Sequence, residues 1–149
     1  MNPRPARGAV LAFDFGEKRI GVAVGEIELG IPHALTAIAA EDNRSRFAAV
    51  AALIAEWQPV LLVVGVATHA DGAVHKTGRL AQRFGQRLHG RFNLAVEFVD
   101  ERLSSHAAEA GLRESGVRGD RRAALLDAAS AAEILRTWLA APLNPLQNT

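Results

Sequence analysis

The run Val60-Leu61-Leu62-Val63-Val64-Gly65 constrains the fold more than any other part of the chain. A strand with one wet face alternates apolar and polar residues. A continuous, valine-rich apolar run instead suits a strand buried on both faces, the situation of a parallel strand with helices above and below it. The flanks agree with that reading. Phe47, Val50, Ala51, Ile54 and Trp57 recur at helical spacing behind the capping candidates Asp42, Asn43 and Ser45, and Pro59 stops the pattern. Helical spacing returns from about Val74 to His89, with Leu80, Ala81, Phe84 and Leu88 as its inward stripe.

Other segments extend the sheet. Residues 9–15 (AVLAFDF) and 20–25 (IGVAVG) read as two strands joined by Gly16-Glu17-Lys18, residues 31–38 as a third, and LAVEFVD (94–100) as another. Ser104 or Ser105 is placed to cap a helix ending near Glu114, and Asp120 to open a last helix that finishes before Pro142. The expected fold class is α/β, a single five-stranded mixed sheet with an antiparallel meander followed by parallel strands, flanked by helices. Length matches one domain over residues 9–140, between polar tails at 1–8 and 141–149.

Composition excludes several function classes. There is no cysteine, so neither a disulfide framework nor a thiolate metal site or nucleophile is available. No apolar stretch reaches the roughly 18 residues of a membrane span, and MNPRPARG lacks the apolar core of a signal peptide, so a cytoplasmic protein is expected. The net charge of +1 is neutral with respect to partners, but its distribution is not. Between Asp71 and Glu97 there is no acid, whereas Lys76, Arg79, Arg83, Arg87 and Arg91 all fall there.

Three carboxylates sit where a carboxylate costs energy. Period two puts Asp14 on one face with Val10 and Ala12, opposite Leu11, Phe13 and Phe15. A buried carboxylate needs a cation, donors or solvent, so Asp14 is either a ligand or a cap for the turn at Gly16. Asp100-Glu101-Arg102 stands at the carboxyl end of a strand, where open α/β sheets place ligands, and reads either as part of a site or as a solvated loop ion pair with Arg102. Alternation lets only one of Asp100 and Glu101 join Asp14. Asp127 lies in a helical row with Ala123, Ala124, Ala131 and Ile134, the small apolar side expected to press on the sheet, so it is either carried toward the strand ends or a polar residue tolerated at the helix border. Three converging carboxylates are a hard-oxygen donor set suited to Mg²⁺ or Mn²⁺, two of which together can hydrolyse phosphodiesters.

Successive turns of about 100° place Lys76, Arg79, Arg83 and Arg87 within roughly 80° of arc, a row able to follow a phosphate backbone or simply a solvated face. His69 and His75 flank Asp71 but lack a further ligand at zinc spacing. Gly21, Ala23 and Gly25 leave one face of the second strand almost bare, either to admit backbone or substrate beside Asp14 or for tight packing.

With DFGEKRIGVAVG, VVGVATHADG, FVDERLSSHAAEA and LLDAASAAEIL in this order, the chain resembles the bacterial YqgF/RuvX family of RNase H-like proteins over about residues 9–139. The resemblance implies an RNase H-like fold and a metal-dependent nuclease using Mg²⁺ or Mn²⁺, expected as two ions. Its substrate would be nucleic acid, with RNA favoured through 5′-end processing of pre-16S ribosomal RNA. A four-way DNA junction is the alternative, and a junction resolvase calls for a homodimer. A ribosome assembly factor that binds without cutting is a further alternative. Carried over by motif, Asp14, Glu101 and Asp127 are the catalytic metal ligands, with Asp100 in reserve, and Arg19 and Arg102 join Lys76, Arg79, Arg83 and Arg87 as nucleic-acid contacts. The family's Gly-Leu-Pro type loop after the fourth strand is here Gly65-Val66-Ala67, without the proline. Actin-like ATPases share an Asp-x-Gly hairpin but pair two such domains.

Overall fold

Five strands pair in the order β3-β2-β1-β4-β5: β1 (Ala9–Asp14), β2 (Ile20–Glu26), β3 (Ile31–Ile38), β4 (Leu61–Val66) and β5 (Ala95–Asp100). The structure is a computed structural model that describes residues 5–66, 76–100 and 119–141. β1 and β3 run antiparallel to β2, while β4 runs parallel to both β1 and β5. This is the expected mixed sheet of an RNase H-like α/β fold, a meander followed by parallel crossovers.

Helices α1 (Asn43–Trp57) and α2 (Lys76–Phe92) cover one face, and α3 (Gly119–Ala140) covers the other. The strand pattern dictates both layers. Leu11, Phe13, Val22, Leu62 and Val64 point toward α1 and α2, where they meet Phe47, Val50, Ala81, Phe84 and Leu88. Val10, Ala12, Ala23, Leu61 and Val63 point the other way, onto Ala131, Ile134, Leu135 and Trp138 of α3. Every residue of β4 is buried, as its unbroken apolar run requires. Phe13, at 0% exposure, packs edge-on against Phe84 with centroids 5.8 Å apart; burying such a ring contributes about 1.5–3 kcal/mol.

The ends of α1 follow local chemistry. The Asp42 carboxylate accepts from Ser45 N–H at 2.9 Å, which holds the Asp42 carboxyl below its ordinary pKa. At the other end Gln58, left-handed at φ 46°, donates its N–H to Ile54 O before Pro59 forbids a further turn. The helix expected near Ser104 to Glu114 lies outside the described residues. Gln58 and Asn93 are the described non-glycine residues with positive φ, and each closes a helix ahead of a parallel strand.

Candidate metal and nucleic-acid site

Asp14 ends β1 half-buried, on the same face as Val10 and Ala12. Its neighbours in register are Gly21 on β2 and Gly65 on β4, so the side chain stands between two bare positions. The next strand contributes Val99, which packs with the α3 side of the core.

Into that gap comes α3. A Cβ built on Gly21 would lie 1.9 Å from Asp127 O and 2.4 Å from Asp127 C, so the helix backbone at Asp127 rests directly on the strand position paired with Asp14. Glycine at 21 is therefore what admits Asp127 to Asp14's end of the sheet. Farther along, Gly25 faces the Leu135 side chain, and Ala23 lies in the α3 core. Of the two readings of the bare face of β2, packing against α3 is the correct one; the face is filled by helix and offers no room for substrate.

Asp127 is 23% exposed and accepts a hydrogen bond from Arg19 Nε at 2.6 Å. Sequence reading placed these residues in separate roles, one as metal ligand and one as phosphate contact. The fold joins them in an ion pair, because Arg19 immediately precedes β2 and the backbone of Asp127 lies over Gly21, the second residue of that strand. The guanidinium thus partners Asp127, one of the three expected donors.

Asp100 pairs with Val66, which belongs to the core beneath α1 and α2, and so falls on the face opposite Asp14. By alternation the reserve candidate leaves the cluster. Glu101 and Arg102, like Asp71 and the loop lacking proline after Val66, lie outside the described residues. Among the described residues no three acids or histidines converge at metal distance.

Lys76, Arg79, Arg83 and Arg87 are exposed on α2, as the helical wheel requires, but α2 covers the sheet face away from Asp14 and Asp127. Arg83 and Arg87 line a cleft of about 380 Å³ with Phe15, Glu17, Glu41 and Arg46. That cleft reaches the strand end from the other side.

Arg46 is a residue that sequence reading passed over. It is 5% exposed, and its guanidinium donates to Ala40 O at 2.5 Å, to Gly16 O at 2.8 Å and to Glu17 O, with Phe15 beneath it at 5.2 Å. Burial pushes its pKa down against the opposing pull of Glu41, Asp42 and Glu17. The cation fastens α1 to the turn that directly follows Asp14. A signal was available: Arg46 stands one helical turn before the core residue Val50, as out of pattern as Asp127.

Comparison with known proteins follows the same line. The family model described as "RuvX: Holliday junction resolvase" matches residues 8–141. A protein of Dechloromonas aromatica named "Putative pre-16S rRNA nuclease" is 59% identical over 135 residues, covering 91% of this chain and 92% of the relative. Relatives of the same name from Methylobacillus flagellatus, 52% identical with 91% and 95% coverage, and Neisseria gonorrhoeae, 51% identical with 89% and 88% coverage, are similarly close. A match over nearly the whole chain, on a mixed five-stranded sheet of the expected kind, places this protein in the RuvX family.

Proposed function

We propose that the protein is a metal-dependent nuclease that hydrolyses phosphodiester bonds in 5′-end processing of pre-16S ribosomal RNA. The observation that carries the reading is the seating of Asp127 on Gly21, the cross-strand partner of Asp14, which brings two carboxylates from distant parts of the chain to one end of one sheet face. Full-length relatives bearing the nuclease name support it. No described helix is long and apolar enough to cross a membrane.

The donor chemistry fits Mg²⁺ or Mn²⁺, since carboxylate oxygens and no sulfur are on offer. Asp14, Asp127 and Glu101 would hold the metal, which when bound lowers the pKa of water and stabilises charge on phosphate oxygens. The protein's own part is positional. Arg46 holds the turn after Asp14, and the α3 packing holds Asp127 over β2. Arg19, once released from Asp127, carries a guanidinium suited to bidentate contact with a phosphate.

With Mg²⁺ or Mn²⁺, the purified chain is expected to cut an RNA that mimics the 5′ leader of the precursor. Asp14→Asn should abolish the cut and leave the circular dichroism spectrum of the folded chain unchanged. Undiminished cleavage by that variant would sink the assignment of Asp14. The family description also favours a test on a four-way DNA junction in parallel. Symmetric nicking of the junction by a twofold dimer would replace the RNA reading with the resolvase.

A further inference from the structure

A second cleft adjoins Asp127 on its own side of the sheet. It has a volume of about 540 Å³ and is lined by Lys18 and Arg19 of the β1–β2 turn, Arg121 of α3, Glu41, and small residues including Ala37 and Ala124. Arg19 is common to the cleft and to the Asp127 ion pair, so the cleft is continuous with Asp127. Arg121 precedes Asp127 by six residues, about 9 Å along the helix axis.

We propose that this cleft is the track of the substrate strand, with Lys18, Arg19 and Arg121 contacting consecutive phosphates of a single-stranded nucleic acid. The proposal deepens the nuclease reading and rests on it. With Asp127 counted as the partner of Arg19, three cations meet two carboxylates, and Lys18 and Arg121 supply the positive charge that favours a polyanion. The alanine floor offers no side-chain donor or acceptor to a base edge, so binding runs through the backbone and is indifferent to sequence. The exposed cations of α2 stand on the opposite layer, and a strand lying on them would have to cross the end of the sheet to reach Asp127. The shorter path from a phosphate contact to the acids is through Arg19. Neither Lys18 nor Arg121 stands out in the sequence, because they are about a hundred residues apart and only α3 packing brings them to one cleft.

The test is binding without divalent metal, so that cleavage plays no part. A short fluorescein-labelled single-stranded RNA is titrated with the chain, and its anisotropy is followed between about 50 and 200 mM salt. Each of Lys18→Gln and Arg121→Gln should lower the slope of log K against log salt by about 0.7, and the pair of changes together by about 1.4. Arg136→Gln removes an exposed cation of α3 outside the cleft and should leave the slope unchanged. An unchanged slope for Lys18→Gln and Arg121→Gln overturns the proposal, as does a parent chain whose RNA binding shows no salt dependence. Loss of the slope in Arg83→Gln with Arg87→Gln alone would overturn it in favour of α2. Cleavage is scored separately. Groove variants that bind like the parent while Asp14→Asn is inactive remove the track and keep the nuclease. Groove variants that lose the slope in a chain that cuts nothing keep the track and remove the nuclease. A four-way DNA junction as second probe reports which nucleic acid the same phosphate contacts prefer.

Discussion

Replacing Gly21 by alanine adds one methyl group and should cost far more than a methyl usually does. The new Cβ would lie 1.9 Å from Asp127 O, 2.4 Å from Asp127 C and 3.1 Å from Ala128 N, where separations under 3.0 Å are essentially never found. All three atoms are backbone, so no rotamer change relieves the clash. Either α3 retreats by about 1 Å or the β1–β2 hairpin yields. Overpacking of this kind costs about 1–3 kcal/mol, and a contact with helix backbone belongs at the upper end. At about 2–4 °C per kcal/mol for a chain of this size, the thermal midpoint should fall by roughly 6–12 °C. The same retreat moves Asp127 relative to Asp14, and a misplacement of about 1 Å can lower turnover by about a hundredfold. Gly25→Ala separates the two effects, because its Cβ would meet Ile31 O at 2.9 Å and a flexible Leu135 side chain at 3.1 Å, away from Asp127. It should lose about 1 kcal/mol and retain cleavage at temperatures where it is folded. Urea denaturation followed by circular dichroism, with cleavage assayed well below each midpoint, measures both quantities. A Gly21→Ala protein within about 0.5 kcal/mol of the parent and equally active would refute the claim that this glycine positions Asp127.

Three further outcomes are expected. Arg46→Met leaves the carbonyls of Gly16, Glu17 and Ala40 without their shared donor and should destabilise the fold by about 2–4 kcal/mol in urea; a loss under about 0.5 kcal/mol would mean water replaces the guanidinium without penalty. Arg19→Gln frees Asp127 from a competing cation, and an ion pair this exposed is worth about 0.2–1 kcal/mol, so Mn²⁺ binding by calorimetry should tighten by up to about fivefold. Weaker binding would show that Arg19 orients the carboxylate for metal. Asp42 has a pKa below that of its unfolded form because it caps Ser45, so its contribution is present above about pH 4 and is lost as pH falls through the folded value. The stability gap between the parent and Asp42→Ala should narrow as pH drops below about 4, and a gap independent of pH would remove the charge from the explanation.

Local chemistry made much of the architecture legible in advance. The unbroken apolar run of β4, the period-two alternation of β1, the caps of α1 and the spacing of α2 are each written in neighbouring residues, whereas the pairing of β4 with β1 is not. Asp14 and Asp127 were legible for a related reason, since each breaks an apolar pattern that burial would otherwise enforce. Arg46 breaks a pattern in the same way.

What one-dimensional order could not decide is which distant backbones touch. Whether the bare face of β2 meets substrate or helix depends on the approach of α3, which no residue near Gly21 encodes. The pairing of Arg19 with Asp127, separated by 108 positions, and the meeting of Lys18 with Arg121 are likewise products of packing. Alternation along β5 reduced Asp100 and Glu101 to a choice of one, but only the register with Val66 put Asp100 on the wrong face. Sequence by itself determined the elements and the residues that strain against burial, because those are governed by neighbours along the chain. Tertiary structure decided which of them share a surface, because close packing of α3 on a strand without side chains is a property of two surfaces and not of either one alone.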